Sequence, residues 1–89
     1  MRYFAVFLPT KDVEKSKQYR SEHLAFLEKD KSKEMIFMKG RFADGAGGLV
    51  IYQGKSFEEI EAIVKQDPYI IHGARDYEIH EWEMKTDKF

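Results

Sequence analysis

Arg2-Tyr3-Phe4-Ala5-Val6-Phe7-Leu8 begins next to the N-terminus, and its pattern decides how the rest of the chain is read. Aromatic and β-branched residues favour extended backbone, and Pro9 bounds the run, so the segment reads as a strand. Alternate side chains of a strand point to opposite sides. Tyr3, Ala5 and Phe7 therefore share one side, and Phe4, Val6 and Leu8 share the other. Both sides are apolar, so this strand needs cover on two faces.

Beyond it, Thr10 or Asp12 can cap a helix that runs to about Lys31. Glu34 to Phe42 is a second strand and Leu49 to Tyr52 a third. Between them the glycines of Asp44-Gly45-Ala46-Gly47-Gly48 suit a hairpin. Ser56-Phe57-Glu58-Glu59 is a capping box, and the helix it opens carries Phe57, Ile60, Ile63 and Val64 on one stripe. Asp67-Pro68 interrupts that helix. Tyr69 to Ala74 is a short turn or helix, and Arg75 to Met84 is the last strand. The order β-α-β-β-α-β predicts an α+β, ferredoxin-like fold with an antiparallel sheet. Residues 1–84 are expected to form a single domain, followed by a loose tail at 85–89.

Two helices in this order cover one side of the sheet. The other side should then be wet, yet both sides of the first strand are apolar, and the last strand mixes polar residues with Tyr77 and Ile79 on one side and with His80, Trp82 and Met84 on the other. The second and third strands are apolar on both sides, at Met35 to Met38 and Leu49 to Tyr52. A chain this short buries only about 60–65% of its extended surface and has little stability to spare for exposed aromatics. The pattern predicts a homodimer packed sheet to sheet. A monomer that offers this face to a ligand or another protein is the alternative.

Composition narrows the function classes. Lys and Arg total 15 against 16 Asp and Glu in 89 residues, a net charge of −1, which makes no electrostatic case for nucleic acid or an anionic membrane. The longest apolar run, Tyr3 to Leu8, is too short to span a bilayer. The chain has no Cys, which removes disulfides, thiolate metal sites and a cysteine nucleophile. No signal-peptide pattern is read at the N-terminus, and the expected location is the cytoplasm.

His23 is the first candidate for chemistry. It shares a helix face with Tyr19, Phe26 and Leu27, so its imidazole is expected to point at the sheet. There burial disfavours its charged form and a carboxylate favours it. A core histidine with one satisfied hydrogen bond is the plainer alternative. Asp67 is the second candidate: it can cap the next helical turn, with Pro68 at the first position, and its other oxygen stays available. A His23–Asp67 pair would fix the imidazole tautomer and leave one nitrogen for a substrate proton. Arg41 can hold an anionic substrate or simply end a strand at the surface. Tyr69, Tyr77 and Trp82 read as core or interface residues. His72 and His80 have no second ligand at metal spacing, so no metal is expected. Asp44 to Gly48 lacks the Lys-Ser/Thr of a phosphate loop. Lys29 to Lys33 (KDKSK) reads as a solvated helix end.

Together RYFAVF, RSEHLAFL, IFMKGRF, DGAGGLVIY and SFEEIEAIVKQDPYIIHGARDYEIHEW closely resemble the YciI-like (YCII-related) family, from about Arg2 to Trp82. The most specific pieces are His23 to Leu27 and Asp67 to Tyr69, in that order and spacing. The family is similar in fold to dimeric α+β barrel proteins, including muconolactone isomerases and small cofactor-free monooxygenases. The resemblance implies a pocket between helices and sheet. It implies His23 and Asp67 as an acid–base pair, with no cofactor. A few members are similar to dehydrochlorinases that remove HCl from chlorinated hydroxyquinols; nothing in this chain marks that substrate.

The expected function is a cofactor-free enzyme that moves a proton in the elimination or isomerisation of a small molecule. His23 and Asp67 would be catalytic, and Arg41 and Tyr69 would bind substrate. A non-catalytic small-molecule-binding module and an interaction protein of the same fold remain alternatives.

Overall fold

The computed structural model describes residues 2–85. Four strands, β1 (Arg2–Pro9), β2 (Ile36–Arg41), β3 (Gly47–Gly54) and β4 (Glu78–Trp82), form one sheet in the order β2-β3-β1-β4. Every neighbouring pair is antiparallel, so the α+β ferredoxin-like expectation holds. The expected tail from Lys85 lies outside the described residues but for Lys85 itself.

Pairing fixes which side chains share a face. Phe4 opposes Tyr52, and Val6 opposes Val50 on one flank and Ile79 on the other. These residues look toward the helices, where Phe4 and Val6 are wholly buried with Leu8, Val50 and Tyr52. Leu27, Ile60 and Val64 complete this core from the helical layer. On the reverse side Ala5 opposes Ile51 and His80. A bulge between Ile36 and Met38 shifts the β2 register, and Phe37 meets the Tyr3 ring edge-on at 5.4 Å. Phe42 meets Phe7 the same way at 5.7 Å. Phe37, Met38, Phe42 and Trp82 remain exposed.

The helical layer differs from the expected pair. The first crossover is two helices, α1 (Val13–Gln18) and α2 (Arg20–Ser32), because Tyr19 leaves helical geometry at φ −101° and ψ 11°. Its ring lies flat on His72, with centroids 3.9 Å apart. Asp12 is the cap, accepting the Lys15 N–H at 3.0 Å. Thr10 instead bridges to Arg75 and donates to the Gly45 carbonyl. In the second crossover α3 (Phe57–Val64) begins at Ser56, whose Oγ accepts the Glu59 N–H at 3.1 Å. The Glu59 carboxylate returns to the Lys55 N–H rather than to Ser56, so the box closes one residue early. A one-turn helix, α4 (Pro68–Ile71), follows.

Three further expectations are corrected. The last strand is five residues, Glu78–Trp82, not Arg75 to Met84. The third is eight, Gly47–Gly54, because its pairing with β1 runs the full length of that strand. The KDKSK segment is not solvated throughout: Asp30 is 4% exposed, since it follows His23 and Leu27 on the inward face of α2.

Candidate functional site

α2 and α4 are the elements that matter. Helical spacing puts His23, Leu27 and Asp30 on one inward stripe of α2. At the far end of the second crossover, Asp67 caps α4: its Oδ1 accepts the Tyr69 N–H at 2.9 Å, and Pro68 occupies the first helical position. Because both helices lie on the same side of the sheet, these two local choices converge. His23 Nδ1 stands 2.8 Å from each carboxylate oxygen of Asp67. The two side chains are 10% and 3% exposed.

An ionised carboxylate only accepts, so facing one assigns Nδ1–H as the donor of this hydrogen bond. Nε2 makes no hydrogen bond among the described residues. No buried side-chain nitrogen or oxygen there lacks a partner, so Nε2 is open to the cavity that His23 lines. The ring is held from the side as well. Tyr69 stacks on it at 4.0 Å and 13° between planes. Burial pushes the Tyr69 hydroxyl pKa up, with Arg75 and Arg20 opposing. The hydroxyl donates to the Ser16 carbonyl at 3.1 Å.

The cavity has a volume of about 530 Å³ between helices and sheet. Leu8, Leu24, Leu27 and Val50 give it apolar walls, and Gly48 leaves its floor bare. Among the described residues its charged lining is entirely cationic: Lys17, Arg20, Lys39, Arg41 and Arg75. Of the four residues expected at a site, the structure brings His23, Asp67 and Tyr69 into contact, and Arg41 lies elsewhere on the cavity lining. Three of them line the cavity, and Asp67 stands behind His23. His80 is apart, on the sheet's reverse side, 3.0 Å from Glu78. Among the described residues no three His, Asp or Glu side chains gather as a metal would need.

Reading the residues missed Arg75. It lies three residues before β4, in a single antiparallel bridge to Thr10. Its guanidinium donates from Nε to Ser16 Oγ at 3.2 Å and from Nη1 to the Leu8 carbonyl at 3.3 Å. It also lies over the Tyr69 ring, 4.6 Å from the centroid. Asp30 was missed too, although its spacing of seven from His23 would have placed it inward. It accepts the Tyr52 hydroxyl at 3.1 Å.

A small α+β domain whose helices and sheet enclose a cavity beside a buried His–Asp pair is one of a recognised class. The sequence profile of the YCII-related domain matches residues 1–83, and the chain belongs to that family. It is 29% identical over 75 residues to the uncharacterized protein YjpA of Bacillus subtilis (strain 168), spanning 80% of this chain and 88% of that protein. Its fold is similar to that of the 5-chloro-2-hydroxyhydroquinone dehydrochlorinase TftG from Burkholderia phenoliruptrix AC1100, solved in complex with 2,5-dihydroxybenzoquinone. That likeness has a TM-score of 0.80 and 20% identity, over 93% of this chain and 95% of the other. Among the described residues no helix is long and apolar enough to cross a membrane.

Proposed function

We propose that the protein is a cofactor-free acid–base enzyme acting on a small molecule, and that it works as a homodimer. The observation that carries this is the pair itself: both Asp67 oxygens at 2.8 Å from Nδ1, with Nε2 left to the cavity. Nε2 takes a proton from a ligand carbon. Asp67 stabilises the imidazolium and holds the ring in the tautomer that can accept. The electron pair of the broken C–H bond then forms a double bond. A leaving group departs with its own electrons in an elimination, or His23 returns the proton at a second carbon in an isomerisation. The dehydrochlorinase activity of the fold neighbour is an elimination, which favours that branch without assigning its substrate. Tyr69 fixes the imidazole plane by stacking, and Arg41 meets the ligand from the β2 edge.

The exposed apolar face of the sheet supports the second half of the proposal. Phe37, Met38, Phe42 and Trp82 lie on or beside the surface that the helices do not cover. A second copy, sheet against sheet, removes them from water.

The tautomer is directly measurable. Long-range 1H–15N correlation should show neutral His23 protonated at Nδ1, with an unprotonated Nε2. Asp67→Asn keeps an oxygen to cap α4 but offers the imidazole an amide in place of a carboxylate. In that variant the tautomer preference should weaken or reverse. An Nε2–H tautomer in the parent protein, or no response to Asp67→Asn, contradicts the assigned roles.

A further inference from the structure

We infer that the ligand of this cavity is a small organic carboxylate, and that Arg75 is the residue that grips it. This rests on the cavity being the working site, as proposed above, and adds what the ligand is and what holds it.

The chain as a whole balances its charges, 15 basic against 16 acidic residues. The cavity does not: among the described residues five basic side chains line it and no acidic one does. Among the described residues Arg20, Lys39, Arg41 and Arg75 have no carboxylate within 4.0 Å. Lys17 has only the exposed Glu14, at 3.9 Å. A one-signed concave lining concentrates ligands of the opposite charge.

Arg75 differs from its neighbours in how it is held. Lys17, Arg20, Lys39 and Arg41 are exposed, and a ligand must immobilise each of them on binding. Arg75 is half-buried and already fixed by Ser16, the Leu8 carbonyl and the Tyr69 face. All three partners are neutral, so its charge is partly desolvated and uncompensated, a costly arrangement that an anion relieves. Nη2 makes no hydrogen bond among the described residues. As no buried polar side-chain atom lacks a partner there, Nη2 is accessible. A fixed guanidinium with free, coplanar N–H donors matches a carboxylate.

The stack sets the length of the ligand. His23 and Arg75 lie 4.0 Å and 4.6 Å from the centre of the same Tyr69 ring, too close for both to share one face. Tyr69 is therefore sandwiched between them. A molecule that meets both spans the edge of one aromatic ring, its carboxylate at Arg75 and its reacting carbon at His23. The apolar walls suit a hydrocarbon body between the two ends, and so favour an organic carboxylate over a bare inorganic anion.

Benzoate is a suitable probe, with benzamide as its neutral match and inorganic phosphate as the bare anion. Titrations followed by amide NMR should show benzoate binding about tenfold or more tightly than benzamide. Phosphate should bind more weakly than benzoate. Arg75→Gln and Arg75→Lys should each weaken benzoate binding about tenfold, the second because a lysine keeps the charge but loses the fork. Arg41→Gln should weaken it less. Equal binding of benzoate and benzamide by the parent protein would overturn the inference, and needs no variant to fold. So would phosphate binding as well as benzoate, or a folded Arg75→Gln that binds benzoate undiminished. The His23 tautomer is read without any ligand, so either proposal can fail while the other stands.

Discussion

Asp30 occupies a buried position that ordinarily goes to a hydrophobe, and it meets Tyr52 there. Burial raises its pKa above the ordinary carboxyl value, with the Tyr52 hydrogen bond and two nearby lysines pulling it back. Burial also pushes the Tyr52 hydroxyl up, reinforced by the Asp30 charge. A raised folded-state pKa means that the folded chain holds this proton more tightly than the unfolded one. That contribution to stability is complete below the ordinary carboxyl pKa and is lost as pH rises through the raised value. Asp30→Asn has no proton to lose and keeps an oxygen for Tyr52. Its melting temperature relative to the parent should therefore rise as pH increases above the ordinary carboxyl pKa. A difference that stays constant with pH would contradict the account of this pair. At this scale the sequence was informative wherever a residue's neighbours decide its place. Tyr19, Phe26 and Leu27 point His23 inward, and Pro68 makes Asp67 a cap. That the two side chains meet is a tertiary fact, which the family resemblance implied and local spacing could not. Asp30 escaped notice because three lysines surround it in sequence, and its charge outweighed its helical phase.

The elements themselves were legible from caps, turns and alternation. What slipped were the points where tertiary contact overrides local preference. Nothing in Val13 to Ser32 forbids one continuous helix, yet Tyr19 departs from helical geometry, and its ring lies on His72 from the other crossover. Arg75 does pair, but only through a single bridge to Thr10 just past β1, and a bridge set apart from β4 has no local signature. The glycine-rich turn shows two different needs under one composition. Gly45 has φ +81° with open space around it, whereas Gly47 has φ +142° and lies tight against β1. A Cβ at Gly47 would collide with the Leu8 carbonyl oxygen and come within 2.9 Å of the Pro9 Cα. Gly45→Ala should cost about 1 kcal/mol from backbone strain alone. Gly47→Ala adds displacement of a central strand pairing and should cost about 3 kcal/mol or more. Chemical denaturation of the two variants checks the ranking, and equal losses would contradict the close approach of β3 to β1.

The whole molecule follows from an imbalance between a sheet with two apolar faces and helices that cover only one. Beneath the helices the cover is incomplete, and the space left is the cavity beside His23. On the reverse face the described residues supply no cover, and aromatic side chains meet one another at the surface. This imbalance was legible from Arg2 to Leu8 alone, because period-two alternation assigns faces without any knowledge of the partner strands. The charge of the cavity was not legible, since its five basic residues come from three separate stretches of the chain and gather only on folding. Light scattering from the purified chain at micromolar concentration tests the central claim that a second copy closes the open face. The predicted result is a particle of twice the 10.5 kDa chain mass. A homogeneous particle of one chain mass at that concentration would contradict it.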